Sequence, residues 1–378
     1  KEEVIQVNKK VNVFLNKCKI KNAKIVVGGS FAKETWLPGN KDVDIFVKFK
    51  NTKNISDKLE KELKKNFRNI KRIHGSRDYF HIKLNDILFE VVPVKNIKKT
   101  KEAENITDVS PLHTEFVKKN TNQIQRNDIR KLKQFCIANN IYGAESYIKG
   151  FSGYVLELLI IYYKSFDNLI KNVRKWEEHK FIDIKKYYKN NKLGILSLNS
   201  SKRGPLILID PVQKDRNAAA ALSNDVLKKF IKLFKEFDGS ERFFITKKID
   251  INKLKGYLLF KVVPKNGKED VVGSKLLKCI EVIKREFKRN YYEVVDYGWQ
   301  WNKEIYFWFK LKKIEKHYGP KIEMKEYAQE FKRKWKNINK DKNRYYVQVK
   351  HRNINKIAKE ITKNKEILDK VKKIKILP

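Results

Sequence analysis

Gly28-Gly29-Ser30-Phe31-Ala32-Lys33, followed shortly by Asp42-Val43-Asp44, is the part of the sequence that decides the fold. The first stretch comes after a short apolar run at residues 25–27, which predicts a strand that turns into a short helix. Glycine lets backbone amides approach a phosphate closely, and a helix N-terminus adds a field that favours anions. Since the Ser30 hydroxyl can donate a hydrogen bond and Lys33 adds a positive charge, this stretch predicts a phosphate-binding turn.

Residues 42–49 alternate between polar and apolar side chains, which is typical of a strand with one buried face. The alternation puts Asp42 and Asp44 on the same face, roughly 7 Å apart along the strand. Two carboxylates at that spacing repel each other unless a cation lies between them. Mg²⁺ with oxygen ligands, bridging to the phosphates of a nucleotide, accounts for the pair. The alternative is a plain turn followed by a solvated strand edge.

Glu90 is the third carboxylate that two-metal chemistry usually needs. It lies in the apolar stretch 87–92, which follows a predicted strand at 79–84 after a turn at Asn85-Asp86. A glutamate in so apolar a strand is costly to bury without a partner, and a metal ion is such a partner. The alternative is an ion pair with one of the many lysines.

Strands with interposed helices up to about residue 97 predict an α+β fold. Farther along the chain, the periodicity predicts helices at 218–237 and 354–375. The predicted regions are a catalytic nucleotidyltransferase head at 1–122, a mostly helical nucleotide-pocket (neck) region at 123–240, and a basic sheet-plus-helix RNA-binding body and tail at 241–378.

The charge of the chain predicts a polyanionic partner such as nucleic acid, since 87 Lys and Arg stand against 44 Asp and Glu, a formal net charge of +43. Residues 241–378 are especially basic, with 38 Lys and Arg against 17 Asp and Glu. The alternative is an AT-rich genome that inflates lysine, because Arg supplies only 14 of the cations. Tyr306, Trp308 and Lys310 share one face of a predicted strand, which either contacts RNA or is buried.

No stretch is apolar over the roughly 18–20 residues that cross a bilayer. The first residues lack the layout of a secretion signal, and the three cysteines are too few and too far apart for a disulfide framework or a cysteine-rich zinc site. These features predict a cytoplasmic protein with no membrane partner.

Most of the distinctive motifs lie between residues 25 and 225: Gly28-Gly29-Ser30, Trp36-Leu37-Pro38-Gly39, Asp42-Val43-Asp44, Pro111-Leu112-His113-Thr114, Ile141-Tyr142-Gly143-Ala144-Glu145, Gly150-Phe151-Ser152-Gly153-Tyr154, Glu157-Leu158-Leu159, Asp210-Pro211-Val212 and Arg216-Asn217-Ala218. In these motifs the sequence resembles the archaeal, class I CCA-adding tRNA nucleotidyltransferases of the DNA polymerase beta-like superfamily. The earliest motifs are shared by many nucleotidyltransferases, whereas the later ones are much more specific to this family.

The resemblance implies that Asp42, Asp44 and Glu90 are catalytic and hold the metal ions. Lys133 is expected on a basic helix that faces the cleft, and Arg216 offers a planar fork of donors suited to a base edge. The residues that the resemblance implies for nucleotide contact are Gly29, Ser30, Lys33, Ser110, His113, Lys133, Tyr142, Arg216 and Asn217.

The resemblance also implies an activity: template-independent addition or repair of the 3′-terminal CCA of tRNA from CTP and ATP, with two Mg²⁺ ions and release of pyrophosphate. The expected RNA contacts are the acceptor stem, the T-arm and the 3′ end of tRNA, and a homodimer is compatible with the family. One alternative is a poly(A)-polymerase-like RNA nucleotidyltransferase with another acceptor. The other is a non-catalytic RNA-binding relative.

Overall fold

The structure is a computed structural model that describes residues 2–246, 249–302 and 304–377, and the chain divides into two compact units at residues 1–247 and 248–378. The elements that open the first unit are α1 Glu2–Lys17, β1 Ala23–Val27, α2 Gly29–Ala32, β2 Asp42–Phe49, α3 Ile55–Asn66, β3 Ile70–Ile73, β4 Tyr79–Leu84 and β5 Ile87–Lys95. The strands form one sheet in the order β1-β2-β5-β4-β3. β2 and β5 run parallel, and the other neighbours are antiparallel.

The alternation along β2 determines which residues face the core. Val43, Ile45 and Val47 are buried in a cluster with residues of α1 and α3. Phe14 of α1 stacks on Phe89 of β5 with ring centroids 4.1 Å apart. A slip of one residue would exchange the two faces of the strand, so this core also fixes the orientation of the aspartates on the opposite face. The strand predicted at 42–49 is confirmed.

The rest of the first unit is mostly helical: α4 Ser110–Lys119, α5 Gln123–Ala138, α6 Gly153–Tyr163, α7 Phe166–Val173, β6 Lys180–Asp183, α8 Asn191–Leu196, β7 Leu206–Ile209 and α9 Asn224–Glu236. α6 is buried almost all round, in a core that α5, α7 and α9 share. The helix predicted from residue 218 begins only at Asn224, because the Ser223 side chain accepts the Val226 N–H and caps the helix there.

The second unit consists of β8 Leu258–Pro264, α10 Glu269–Arg289, β9 Tyr292–Trp301, β10 Ile305–Lys313, β11 Lys316–Lys321, α11 Lys325–Lys334, β12 Asn339–Asp341, β13 Arg344–Gln348, α12 Ile354–Thr362, α13 Lys365–Leu368 and β14 Val371–Ile376. Its sheets have the orders β14-β8-β10-β9 and β11-β13-β12. The helix predicted at 354–375 is wrong in its second half, because β14 pairs with β8 there. Trp308 is buried over Gly298, which favours the structural interpretation of that residue.

In the part of the chain that the structure describes, no helix is both long and apolar enough to cross a membrane. The cysteines, Cys18, Cys136 and Cys279, are buried and form no disulfide. Burial raises the pKa of the Cys18 thiol to about 12, so this residue is a core side chain rather than a reactive thiolate.

Candidate active site

Strands β2 and β5 bring the predicted metal ligands side by side. Their parallel register pairs Asp44 with Glu90 and Asp42 with Leu88. Asp44 and Glu90 are half-buried, whereas Asp42 at the start of β2 is exposed. The carboxylates therefore lie on one face of the sheet, two of them directly opposite each other on neighbouring strands.

The glycine turn packs directly against Asp44. Gly28 donates its backbone N–H to the Asp44 carbonyl oxygen at 2.8 Å. Gly29 has a φ of +59°, in the left-handed region that favours glycine, and a Cβ at this position would overlap the Asp44 carboxylate. Position 29 therefore requires glycine mainly because any side chain there would take the space of that carboxylate. The helix that follows, α2, is only four residues long.

The charge around Asp44 is unbalanced. The pKa of Asp44 is raised to about 6, first by burial and then by Glu90 and Asp42, with Lys33 acting in the opposite direction. A divalent cation would relieve this repulsion, and carboxylate oxygens are donors that Mg²⁺ accepts. Within the described residues, no three His, Cys, Asp or Glu side chains gather closely enough to enclose a metal ion. The fit to a cation therefore depends on charge and donor chemistry, not on a closed cage.

Glu90 has a neighbour that sequence reasoning missed. His81 of β4 lies opposite Glu90 in the antiparallel β4–β5 pair, and its Nε2 is 3.0 Å from a Glu90 carboxylate oxygen. The predicted hairpin, which turns at Asn85-Asp86, contained the signal, because counting back from that turn pairs residue 81 with residue 90. The expected alternative, an ion pair of Glu90 with a lysine, is not the contact that the structure shows.

A buried ion network joins the turn after α2 to helices α5 and α6. Glu157 of α6 is fully buried. It accepts hydrogen bonds from the Lys33 ammonium at 2.6 Å, the Thr35 hydroxyl at 2.6 Å and the Lys133 ammonium at 2.9 Å. Lys133 also donates to the Thr35 hydroxyl at 3.0 Å and to the Thr35 carbonyl at 3.2 Å. One carboxylate thus holds two of the lysines that the resemblance assigns to the nucleotide.

The charges in this network stabilise one another. Burial would raise the pKa of Glu157, but Lys33 and Lys133 outweigh it and hold that pKa at about 2. Burial lowers the pKa of Lys133, with Glu157 opposing. Only 2% of Lys133 is exposed, although it lines the cavity described next, and its contact with the nucleotide stays a prediction. Glu157 itself was visible in the sequence only as a charged residue inside a very apolar helix.

A cavity of about 300 Å³ lies beside the ion network. Its walls include Ser30, Thr35, Lys133 and Tyr142. The pKa of Tyr142 is raised to about 12, mainly by burial and next by Glu157. Its phenol therefore stays protonated at neutral pH and can donate a hydrogen bond. The structure brings three predicted nucleotide-binding residues, Ser30, Lys133 and Tyr142, to one cavity.

Asp210 is the centre of a second buried cluster. Its carboxylate accepts hydrogen bonds from Arg216 at 2.6 Å and from the Tyr154 hydroxyl at 3.0 Å, and His113 Nε2 lies 2.9 Å away. The His113 ring packs on Tyr154 with centroids 4.4 Å apart. Burial would raise the pKa of Asp210, but His113 and Arg216 outweigh it and hold that pKa at about 2. Asp210 and Tyr154 belong to the motifs of the family, but the sequence predicted no role for either residue.

Lys33 connects the two clusters. Its ammonium bonds to Glu157, contributes to the potential at Asp44, and lies 6.0 Å from the centroid of the Tyr154 ring. The carboxylates of β2 and β5, the ion network and the Asp210 cluster are therefore neighbours. Ser110 begins α4, three residues before His113, so the two lie on the same side of that helix.

Asn217 has a structural role, and its contact with the nucleotide stays a prediction. It is buried, its side-chain oxygen accepts the backbone N–H groups of Leu208 and Ala219, and its side-chain nitrogen donates to the carbonyls of Lys202 and Leu206. These bonds use both donors and both acceptor sites of the amide. Asn217 therefore fixes the turn that carries Arg216.

Two family models match the chain. The nucleotidyltransferase domain matches residues 9–125, and the second domain of tRNA nucleotidyltransferases matches residues 127–245. The CCA-adding enzyme of Nanoarchaeum equitans is 38% identical over 78% of this chain and 76% of its own length. The chain belongs to the CCA-adding enzyme family. The CCA-adding enzyme of Sulfurisphaera tokodaii is 34% identical over 78% of this chain and 71% of its own length.

Solved structures with the same fold include a cytoplasmic RNA terminal U-transferase, with a TM-score of 0.52 and 14% identity, and the RNA terminal uridylyl transferase Cid1, with 0.53 and 12%. Each match covers 66% of this chain and 94% of the other. The predicted α+β nucleotidyltransferase fold is confirmed. The family that the motifs indicate is also confirmed, and with it the activity, which is template-independent CCA addition by a tRNA nucleotidyltransferase.

Proposed function

We propose that Asp42, Asp44 and Glu90 hold two Mg²⁺ ions during nucleotide addition. The observation that carries this assignment is the pairing of Asp44 with Glu90 on parallel strands, together with the raised pKa of Asp44. When bound, such ions lower the pKa of the attacking hydroxyl and neutralise the departing pyrophosphate. The buried face of β2 fixes the side of the sheet to which these aspartates project, and Gly29 keeps the space beside Asp44 open.

The triphosphate of CTP or ATP binds beside the ion network. Ser30 and Tyr142 donate hydrogen bonds to phosphate oxygens, while Lys33 and Lys133 supply positive charge. Because one carboxylate, Glu157, is shared by two lysines, the network keeps a net positive charge toward the nucleotide. Glu157 is a positioning residue that holds both ammonium groups at fixed places.

The reaction is an in-line displacement. The 3′-hydroxyl of the tRNA gives up its proton to water, and its oxygen forms a bond to the α-phosphorus of the nucleotide. The bond between the α-phosphorus and the oxygen that bridges to the β-phosphate breaks, and pyrophosphate leaves with that electron pair. No covalent intermediate on the protein is needed. Fixed cations near the phosphates stabilise the charge that moves toward the leaving group, which is where electrostatic preorganisation is most effective.

Base choice requires a pocket, since no template is present. Arg216, held by Asp210, forms this pocket together with the RNA backbone and accepts C or A while rejecting G and U. His113 and Ser110 line the same side of it. Incorporation of UMP or GMP at rates close to that of CMP would contradict this assignment.

The regions of the chain divide these tasks. Residues 1–122 form the catalytic head and residues 123–240 the neck, a division that the ranges of the two family models support. The basic residues 241–378 grip the acceptor stem and T-arm by shape and phosphate. The enzyme works in the cytoplasm on tRNA, and its assembly as a homodimer remains a prediction that light scattering would check.

The test is incorporation of labelled CTP and ATP into tRNA transcripts that end before CCA, after C and after CC, with Mg²⁺ present. Asp44→Asn is the inactivating variant, and Asp57→Asn, at an exposed acid on α3, is the matched control. We expect addition to stop after CCA in the wild type and in the control, and to vanish in Asp44→Asn. Unlimited adenylation of any RNA would instead support a poly(A)-polymerase-like enzyme. Binding of tRNA without any incorporation would support a non-catalytic relative.

A further inference from the structure

A cavity of the first unit lies away from the carboxylates, at the other end of β2. It has a volume of about 670 Å³ and is bounded by residues 20–24 before and within β1, residues 48–51 at the end of β2, and α3. β2 spans eight residues from Asp42 to Phe49, so its two ends are roughly 23 Å apart. This cavity is therefore separate from the nucleotide site.

Lysine dominates the walls of this cavity, which we name the far-end lysine cavity. Its lysines are Lys21, Lys24, Lys48, Lys50, Lys58 and Lys61. They make up six of thirteen lining residues, about twice the share that Lys and Arg have in the whole chain, 87 of 378. The enrichment therefore exceeds what a lysine-rich composition alone provides.

The protein leaves these charges without counter-charges. All six lysines are described, and none of them forms an ion pair with an acidic side chain of the described residues. The acid among the lining residues, Glu62, already pairs with Lys65 at 2.5 Å. Other lysines of the same region are neutralised, such as Lys64 by Glu60 and Lys95 by Glu104. Six like charges around one concavity repel one another unless an anion from outside the chain enters it.

The side chains also indicate which anion. The aromatic residue of the lining, Phe49, is buried in the core with 5% exposure, so it offers no face on which a base could stack. Lysine ammonium groups act as point charges toward phosphates and carry little sequence information. A ligand with several phosphates in a row and no need for base contacts fits these walls, and that is an RNA backbone.

We propose that the far-end lysine cavity is a second RNA-binding site, which holds the phosphodiester backbone of the tRNA away from its reactive 3′ end. The site adds affinity without sequence specificity and takes no part in the chemical step. This inference rests on the proposed tRNA activity only for the identity of the RNA. The binding itself is independent of the catalytic residues.

The test compares two variants of the full chain that each lose four exposed lysines. The cavity variant carries Lys→Gln at positions 21, 24, 58 and 61, and the control carries Lys→Gln at positions 9, 71, 83 and 118, exposed lysines of the same unit outside the cavity. Both lose the same net charge, so the long-range field is matched. Filter binding of a tRNA transcript that lacks its CCA end, over a series of salt concentrations, gives the Kd and its salt dependence for each.

We expect the cavity variant to bind about tenfold more weakly at low salt, with a slope of log K against log salt that is smaller by about 3, and the control to change less than twofold. Lys→Arg at the four cavity positions keeps the charge and should restore wild-type binding, which separates binding from folding. At saturating tRNA, CMP incorporation by the cavity variant should equal that of the wild type. Equal binding by the cavity variant and the control, whether unchanged or equally weakened, would overturn the proposal.

Inorganic tripolyphosphate distinguishes the two sources of phosphate. If millimolar tripolyphosphate binds in the cavity of the wild type but tRNA binding does not depend on the cavity lysines, the ligand is a free polyphosphate and the proposal is wrong. A wild type that adds no nucleotide, yet shows the expected loss of tRNA binding in the cavity variant, would leave this site standing and refute the proposed function.

Discussion

Asp44 is half-buried on β2, and Glu157 and Asp210 are fully buried farther along the chain, yet the surroundings of Asp44 and of the other two acids have opposite charge. Among the carboxylates of β2 and β5, burial together with Glu90 and Asp42 raises the pKa of Asp44 to about 6. Farther along the chain, neighbouring cations outweigh burial and hold the pKa of Glu157 and that of Asp210 at about 2.

This difference separates two uses of an acidic residue. Glu157 and Asp210 are neutralised by the protein, so they act as anchors for the lysines, the arginine and the histidine around them. Asp44 faces more negative than positive charge, so the cation proposed above would neutralise a charge that the protein itself leaves unbalanced. The sign of the surrounding charge thus separates acids that hold other groups in place from an acid whose surroundings favour binding of a cation.

The largest effect should come from Asp44→Asn. We expect nucleotide incorporation to fall by about a hundredfold to a thousandfold, the range seen when a central electrostatic group is removed from an active site. The free energy of unfolding should stay the same or rise, because the variant removes a repelling charge. Single-turnover CMP incorporation and urea unfolding measure the two quantities. A clear loss of stability would mean that Asp44 is an anchor like Glu157, and the comparison would fail.

Glu157→Gln should have the next largest effect, this time on stability. The variant leaves the ammonium groups of Lys33 and Lys133 buried without a counter-charge, which costs about 3–5 kcal/mol of unfolding free energy. Glu236→Gln, at an exposed position at the end of α9, is the control and should change stability by less than about 0.5 kcal/mol. Urea unfolding compares the two. Equal stability of both variants would show that the network contributes nothing.

Acid should remove the stabilisation that Glu157 and Asp210 give to the folded protein. The folded pKa values of Glu157 and Asp210, about 2, lie below their ordinary values of 4.5 and 3.8. Their stabilisation is therefore complete above these ordinary values and is lost as the pH falls from about 4.5 toward 2. Unfolding free energies measured across this range should decline in the wild type and decline less steeply in Glu157→Gln. Parallel pH profiles would contradict the assignment.

Asp210→Asn should have the smallest effect and should sharpen the comparison. Arg216 and His113 lose their charged partner, so we expect kcat/KM for CTP to fall about tenfold and incorporation of UMP to rise relative to CMP. A nucleotide competition assay gives this ratio. Asp210→Glu keeps the charge and should recover part of the selectivity. A uniform loss of rate for all nucleotides would indicate a structural role alone.

The placement of the carboxylates on β2 and β5 was predictable in part, because the sequence patterns that indicate it are local. The alternation of β2 placed Asp42 and Asp44 on one face, and the turn at Asn85-Asp86 fixed the register of the strand that carries Glu90. The alternation and the turn are both read from neighbouring residues, whereas the pairing of β2 with β5 joins distant parts of the chain. The same register contained His81, although its neighbour was not recognised.

The anchors were not predictable because they depend on tertiary contacts. Lys33 and Glu157 are 124 residues apart in the sequence, and nothing in the local pattern of either joins them. The helix predicted at 354–375 was wrong in its second half for another reason. Val371 and Ile374 are spaced by three residues and so fit a helix, and only pairing with β8 makes this segment a strand.

The network around Glu157 has a consequence for how the family changes over time. A buried carboxylate that holds two ammonium groups cannot lose its charge alone, and neither lysine can be replaced by an acid while the glutamate remains. Substitutions at positions 33, 133 and 157 should therefore be inherited together. Among relatives, a neutral residue at position 157 should occur mainly where at least one of the two lysines has been lost. These three positions, although distant in the sequence, should therefore covary.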